Sequence, residues 1–293
     1  MFRRKQFRLH LRSRSLLLGE RTLLMGVLNI TPDSFSDGGA YLDSGAAVAR
    51  ALQIEHDGAD ILDIGGESTR PGSSPISVHE ELRRILPVIE ILSGKLHIPI
   101  SVDTQKAEVA EAVLAAGAEI LNDVSALRVD PRLANVAVQG RAPMILMHMR
   151  GAPQTMHRGP FARDVMRDSL SGLRAALVNA KRAGLGKSQV LLDPGIGFGK
   201  THEQNFEILA RLPEFARLGC PIVIGTSRKS FLGKALAGPG EPDLPSGERL
   251  LGTATTVTAS ILGGAHIVRG HDVAEIVRVV RVADAILDAG TGE

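Results

Sequence analysis

The sequence predicts an α/β protein, a single (β/α)8 barrel of the TIM type, on three observations. Short apolar runs alternate with longer helical patterns from residue 22 onward, at 23–28, 61–64, 98–102, 120–121, 144–147, 190–192, 222–224 and 267–268. Eight such runs are what a closed parallel barrel needs. One helix-to-strand turn recurs three times, as Gly58-Ala59-Asp60-Ile61, Gly117-Ala118-Glu119-Ile120 and Gly264-Ala265-His266-Ile267, each with a glycine able to end a helix in the left-handed conformation. A chain of 293 residues, 44% of them hydrophobic, is long enough to close one large core.

The opening stretch MFRRKQFRLHLRSRS is basic and contains no acid. It has the composition of a transit peptide, but Glu20 and Arg21 break the apolar stretch that follows, which argues against a secretory signal. Apolar residues at Leu9 to Leu11 and Leu16 to Leu18 point instead to a small β-hairpin closing the barrel floor. The expected division is therefore 1–21 for this extension and 22–293 for one barrel domain. Among the helix starts the clearest is Ser77-Val78-His79-Glu80, a capping box opening the run to Leu92. The segment 237–247, AGPGEPDLPSG, has the glycine, proline and acid content of an exposed loop.

Composition narrows the partners. Aromatic residues make up 3% of the chain and Trp is absent, so the core must be built from Leu, Ile, Val and Ala. A net charge of +2 is too balanced to hold a polyanion by field strength, which disfavours nucleic acid and membrane surfaces. No run approaches the roughly 20 apolar residues that span a bilayer. The single cysteine, Cys220, excludes an intrachain disulfide and a multi-thiolate metal site, and its apolar surroundings read as core. A cytoplasmic enzyme of small molecules is the class that remains.

In a barrel of this type the strand ends and the loops after them converge on one face. In chain order those points carry Asn29, Asp63, Asp103, Asn122, His148, Asp193, Ser227 with Arg228 and Lys229, and Arg269 with His271. Any one of them is explained as a helix cap or turn residue. The set is not, because Gly or Ser would cap equally well and here carboxylates, amides and cations fill the ring. Carboxylates and amides around one cavity suit a flat heterocycle with mixed donors and acceptors, such as a pterin. Arg70, Arg269 and His271, with the N–H groups of a helix start, make a site for phosphate.

Plainer readings compete at several positions. Lys229 beside Arg228 also fits a solvated pair at a helix start. Neither His148 nor His157 has a histidine four residues on or a cysteine nearby, so zinc is improbable. Met144, Met147, Met149 and Met156 read as core and pocket wall. Asp63 reads as a carboxylate that supports its loop rather than one that touches a ligand.

Seven strings carry more than position: LNITPDSFSDGG from Leu28, DIGGESTRPGS from Asp63, SVDT from Ser101, NDVSA from Asn122, DPGIGFGKT from Asp193, TSRKSFLG from Thr226 and VRGHDV from Val268. Together, in this order and one per expected barrel loop, they resemble the dihydropteroate synthase family of pterin-binding enzymes. The resemblance covers nearly the whole chain. It implies that 7,8-dihydropterin-6-ylmethyl diphosphate and 4-aminobenzoate condense to 7,8-dihydropteroate with release of diphosphate, a step of folate synthesis.

The resemblance also implies residue roles. Asp103, Asn122 and Asp193 hydrogen-bond the pterin edge, Met147 and Phe198 wall it, and Lys229 contacts its opposite edge. Asn29 helps hold Mg²⁺ on the diphosphate, whose oxygens are gripped by Arg70, Arg269 and His271. 4-Aminobenzoate lies over Phe35, Thr69 and Pro71, beside Arg70 and Lys229, with its carboxylate at Ser230. Lys229, Asp103, Arg70 and His271 are the residues expected to carry the reaction. The loops 29–41 and 66–77 correspond to lids, and the family implies a homodimer through barrel helices. Gly270 stands where the family often has an apolar residue, with the spacing of Arg269 and His271 intact. Two rival readings are a methyltetrahydrofolate methyltransferase type of barrel, which has no need of the diphosphate grip, and a silent paralogue that binds a pterin without turnover.

Overall fold

The computed structural model describes residues 4–31, 44–68, 72–156 and 158–291. An antiparallel hairpin, β1 (Phe7–His10) and β2 (Ser15–Leu18), precedes the barrel. The barrel strands are β3 (Leu23–Asn29), β4 (Ile61–Gly65), β5 (Ile100–Asp103), β6 (Ile120–Asp123), β7 (Met144–Met147), β8 (Val190–Asp193), β9 (Val223–Ile224) and β10 (Ile267–Gly270). They lie in the order β8-β7-β6-β5-β4-β3-β10-β9, each pair parallel. One parallel bridge, Leu192 with Ile222, joins the two edges and closes the ring.

Outside the ring run α1 (Ser44–His56), α2 (Val78–Ser93), α3 (Ala107–Ala116), α4 (Leu133–Gly140), α5 (Val165–Arg182), α6 (His202–Ala210), α7 (Ser230–Leu236), α8 (Leu250–Leu262) and α9 (Val273–Thr291). The predicted helix-to-strand turn holds in all three copies. Gly58, Gly117 and Gly264 have φ of +103°, +119° and +96°, and in each the glycine and the residue after it donate back to carbonyls of the last helical turn. A fourth copy, Gly184-Leu185 at φ +93°, is hidden in the sequence because a 3-10 turn separates it from its strand.

Several expected boundaries move. Most of the strands extend past the apolar run into the polar residue or glycine that follows, since the ladder bonds backbone groups whatever the side chain. The strand expected at 98–102 begins at Ile100 because Ile98 N donates to Glu55 Oε1 at 3.0 Å instead of to a neighbouring strand. That expected at 222–224 shortens to Val223–Ile224, Ile222 N being taken by His266 Nδ1 at 3.1 Å. The capping box forms by half: Ser77 Oγ accepts from Glu80 N at 3.1 Å, while the Glu80 carboxylate turns to Arg83 and Arg84. Loop 237–247 is largely exposed, as expected.

The two-residue period of the strands divides the core into layers. Leu62, Ile64, Val102, Leu121, Met144, Leu146, Leu192 and Val268 face the helices. Met25, Ile61, Ile120, Ile145, Leu191, Val223 and Ile267 face inward, and Leu9, Leu11 and Leu18 of the hairpin region plug that ring from below. The floor of the barrel is thus an apolar disc built partly by the first strands of the chain. Leu18 is fully buried in it. Leu18→Ala is expected to lower unfolding free energy by about 2–5 kcal/mol, read as a shift of the urea midpoint. A loss below about 1 kcal/mol would show that the plug adds little to the core.

Candidate active site

Two residues beyond the apolar floor, the same period turns a polar layer into the barrel. Ile61 is followed inward by Asp63, Ile120 by Asn122, Ile145 by Met147, Leu191 by Asp193 and Ile267 by Arg269. The register sets Asn29 opposite Gly65, Gly65 opposite Asp103, Asp103 opposite Asn122, and Met147 opposite Asp193. Gly65 leaves a gap in this row. A Cβ there would lie 3.6 Å from both Asn29 Oδ1 and Asp103 Cβ.

The polar layer is organised by Asp63. Its fully buried carboxylate accepts from Arg269 Nε at 2.6 Å and from Asn122 Nδ2 at 3.1 Å through one oxygen, Oδ2. Arg269 Nη2 reaches on to Asp103 Oδ2 at 3.1 Å. The sequence reading gives Asp63 only a supporting part in its loop; it is the fixed point between a cation and an amide from two other strands. Burial raises the Asp103 carboxyl above its ordinary range, with Arg269 pulling the other way. Burial lowers the Arg269 guanidinium, but Asp63 and Asp103 outweigh it and hold the charge.

Around the ring from Arg269 stand Lys229, after β9, and Asp193, on β8. Asp193 Oδ1 accepts from Gly195 N at 2.6 Å, and burial raises its carboxyl. Lys229 Nζ donates to Ile196 O and lies 4.6 Å from the centre of the Phe198 ring. Burial lowers Lys229 to about 8, Asp193 opposing and Arg269 reinforcing the shift. Its neighbour Arg228 goes elsewhere. At φ +59° the backbone turns, and Arg228 Nε pairs with Asp272 Oδ2 at 3.0 Å. The two cations are therefore not a solvated pair; one faces the barrel mouth and the other pairs with the half-buried Asp272. Gly197 makes room, since a Cβ there would sit 2.9 Å from Lys229 Cδ.

His271 N donates to Ser227 Oγ at 3.2 Å, and that hydroxyl lies 3.1 Å from Nδ1 of the same ring. Ser230 is exposed in the first turn of α7. Met147 clusters with Val124, Met149 and Met156, and Phe198 packs against them. Phe35, Thr69, Arg70, Pro71 and His157 lie outside the described residues. Among the described residues no three His, Cys, Asp or Glu gather as a metal cage. Asn29 Oδ1, which faces the gap at Gly65, is an oxygen donor of the kind Mg²⁺ would take. Cys220 is buried, and burial pushes its thiol up to about 11.

The strings that produced this arrangement match the family model described as pterin binding enzyme over residues 25–271. The chain belongs to the pterin-binding enzyme family. Within that family it is 47% identical over 268 residues to dihydropteroate synthase of Synechocystis sp., covering 92% of this chain and 91% of that one. Its fold superposes on the Yersinia pestis dihydropteroate synthase solved with a sulfonamide drug, at a TM-score of 0.88 and 38% identity, covering 97% of this chain and 100% of that one. It also superposes on the Xanthomonas albilineans enzyme in complex with 7,8-dihydropteroate, at a TM-score of 0.84 and 40% identity, covering 95% and 98%.

Some participants are not evident in the sequence as part of the site. Asn205 Oδ1 accepts from Gly197 N at 2.6 Å and shapes the Gly-rich loop of the family string. Lys106 reaches Glu67 and the buried Glu81, and Glu67 Oε1 also accepts from Ile76 N at 3.3 Å. That carboxylate ties together the two ends of the segment that contains 69–71. Asp63→Ala is expected to cost about 1–3 kcal/mol of stability, because the Arg269 and Asn122 donors lose their acceptor. Urea unfolding measures it, and an unchanged midpoint would deny Asp63 its organising part.

Proposed function

We propose that this chain catalyses the dihydropteroate synthase reaction, displacing diphosphate from 7,8-dihydropterin-6-ylmethyl diphosphate with the amino group of 4-aminobenzoate. The observation that carries this reading is one barrel mouth with acids and an amide across its floor, and two cations, Arg269 on β10 and Lys229 after β9, entering from neighbouring strands. The likeness to named dihydropteroate synthases over more than nine-tenths of both chains supports the same reaction.

Asp103, Asn122 and Asp193 take the donor and acceptor groups of the pterin edge, between Met147 and Phe198, with Lys229 at the opposite edge. Asn29, Arg70, Arg269 and His271 receive the diphosphate. Asn29 would hold Mg²⁺, whose charge would offset that of the leaving group. The C–O bond at the 6-methylene breaks, the pterin ring spreads the positive charge that appears, and the arylamine nitrogen forms the new C–N bond and then loses a proton. The protein contributes alignment and fixed charges rather than a nucleophile. 4-Aminobenzoate sits over Phe35, Thr69 and Pro71, near Arg70 and Lys229, with its carboxylate at Ser230.

A cytoplasmic homodimer belongs to this reading. Phe206 on α6, Leu236 on α7 and Leu251 on α8 are 40%, 36% and 75% exposed on helices that adjoin one another, which supports a self-complementary apolar face. Among the described residues no helix is long and apolar enough to cross a membrane.

A diphosphate-release assay with both substrates tests the reaction, and absence of release by the wild-type chain would sink it. In that assay Lys229→Ala is expected to lower kcat/KM by at least ~10²-fold. Because burial brings Lys229 to about 8, the cation is present below that pH, and kcat/KM should fall as pH rises through it. Lys229→Arg, which stays charged, should carry any remaining activity past that limb. A limb that does not move belongs to another group. Arg269→Ala is expected to weaken pterin diphosphate far more than the diphosphate-free pterin, measured by calorimetric titration with Mg²⁺. Equal losses for the two ligands would remove Arg269 from the diphosphate.

A further inference from the structure

Lys200 takes no part in the reaction described above, yet it is buried, at 6% exposure, directly behind the Gly-rich loop. Its Nζ lies 3.0 Å from Phe198 O, 3.2 Å from His148 Nδ1 and 3.3 Å from His148 O. Three acceptors match the three N–H groups of an ammonium, which has no lone pair of its own. Burial lowers Lys200 to about 7, Asp193 opposing, and below that pH the ammonium makes His148 Nδ1 the accepting nitrogen, with the ring proton on Nε2. That nitrogen faces Asp168 Oδ2 at 3.5 Å, and Asp168 is held by Arg150 Nη1 at 2.9 Å. Burial, aided by Lys200, Arg128 and Arg150, lowers His148 to about 2 and keeps the ring neutral.

The loops joined in this way touch backbone to backbone at two further points. A Cβ on Gly195 would lie 1.8 Å from His148 O, and one on Gly199 would lie 2.1 Å from Arg150 O. Both glycines also have positive φ, +72° and +68°. Glycine permits such an approach but supplies nothing that holds it. Lys200 supplies the attraction. Met147 ends β7, directly before His148, and the loop after β8 carries Phe198; these are the two apolar walls of the site.

We propose that Lys200 is a positioning residue for the pterin site: by bridging the carbonyls of His148 and Phe198 it sets the separation of Met147 and Phe198, and it fixes His148 as the Nε2–H tautomer. The proposal rests on the pterin reading of the preceding subsection. Lys200→Met fills a similar volume without the charge or the donors. Wild type and variant are titrated with 6-hydroxymethyl-7,8-dihydropterin and, separately, with inorganic diphosphate and Mg²⁺, and the nitrogen-15 shifts of His148 are recorded.

In the variant the pterin Kd is expected to rise by at least ~10-fold as the two walls lose their preset separation, while diphosphate binding stays within about twofold. The His148 shifts should also leave the pure Nε2–H form. Unchanged pterin affinity overturns the proposal, and so do equal losses of both ligands, which would mark a general loosening of the fold. A proton on Nδ1 of wild-type His148 overturns it as well, and that measurement needs no folded variant. Wild-type protein that ignores the pterin sinks the pterin reading itself, a result distinct from all of these.

Discussion

A strand inside a closed barrel can offer only every second side chain to the interior, and this two-residue constraint governs the molecule. It forces the apolar floor and the polar layer to be neighbours, Ile61 beneath Asp63 and Leu191 beneath Asp193. Site residues are thereby fixed on strands whose outward faces are locked under helices, through Ile64, Val102 and Leu192. The interior needs an apolar disc below to keep water out from beneath the carboxylates. The hairpin supplies its centre.

Stacking acids over hydrocarbon raises an electrostatic difficulty that the barrel solves by pairing across strands. Asp63 is fully buried and would be costly as a lone anion. It is matched by a guanidinium from β10 and an amide from β6, so its neutralisation also fixes where those groups point. The same contact leaves Asp103 sharing Arg269 at 3.1 Å, with burial still raising its carboxyl. Around the ring, Asp193 and Lys229 shift each other in the expected senses, each opposing what burial does to its partner.

Much of this is legible in the sequence. Parallel strands buried on both faces read as apolar runs, so the count and order of the strands follow from hydrophobicity. Their ends do not, because the ladder continues through Asp103, Asp123 and Asp193 with no regard to polarity. Asn29, Asp103, Asn122, Asp193 and Arg269 are found because a polar residue ending an apolar run stands out locally. The importance of Asp63 is hidden, since the Arg269 it holds is 206 positions away. Lys200 is hidden for the same reason: within DPGIGFGKT nothing announces a partner 52 positions back at His148. Local strings reveal which residues are unusual; only the closed ring reveals whom they meet.

The hairpin that plugs the floor is synthesised ahead of all eight barrel strands, yet the apolar cluster that receives Leu18 includes Leu191 on β8 and Ile267 on β10. Arg4, just before the hairpin, closes on Asp284 at 2.7 Å, 280 positions later. The apolar faces of Leu9, Leu11 and Leu18 are therefore covered only when strands far along the chain are in place. Closing the floor joins the first strands of the chain to its last, a non-local topology of the kind that slows folding.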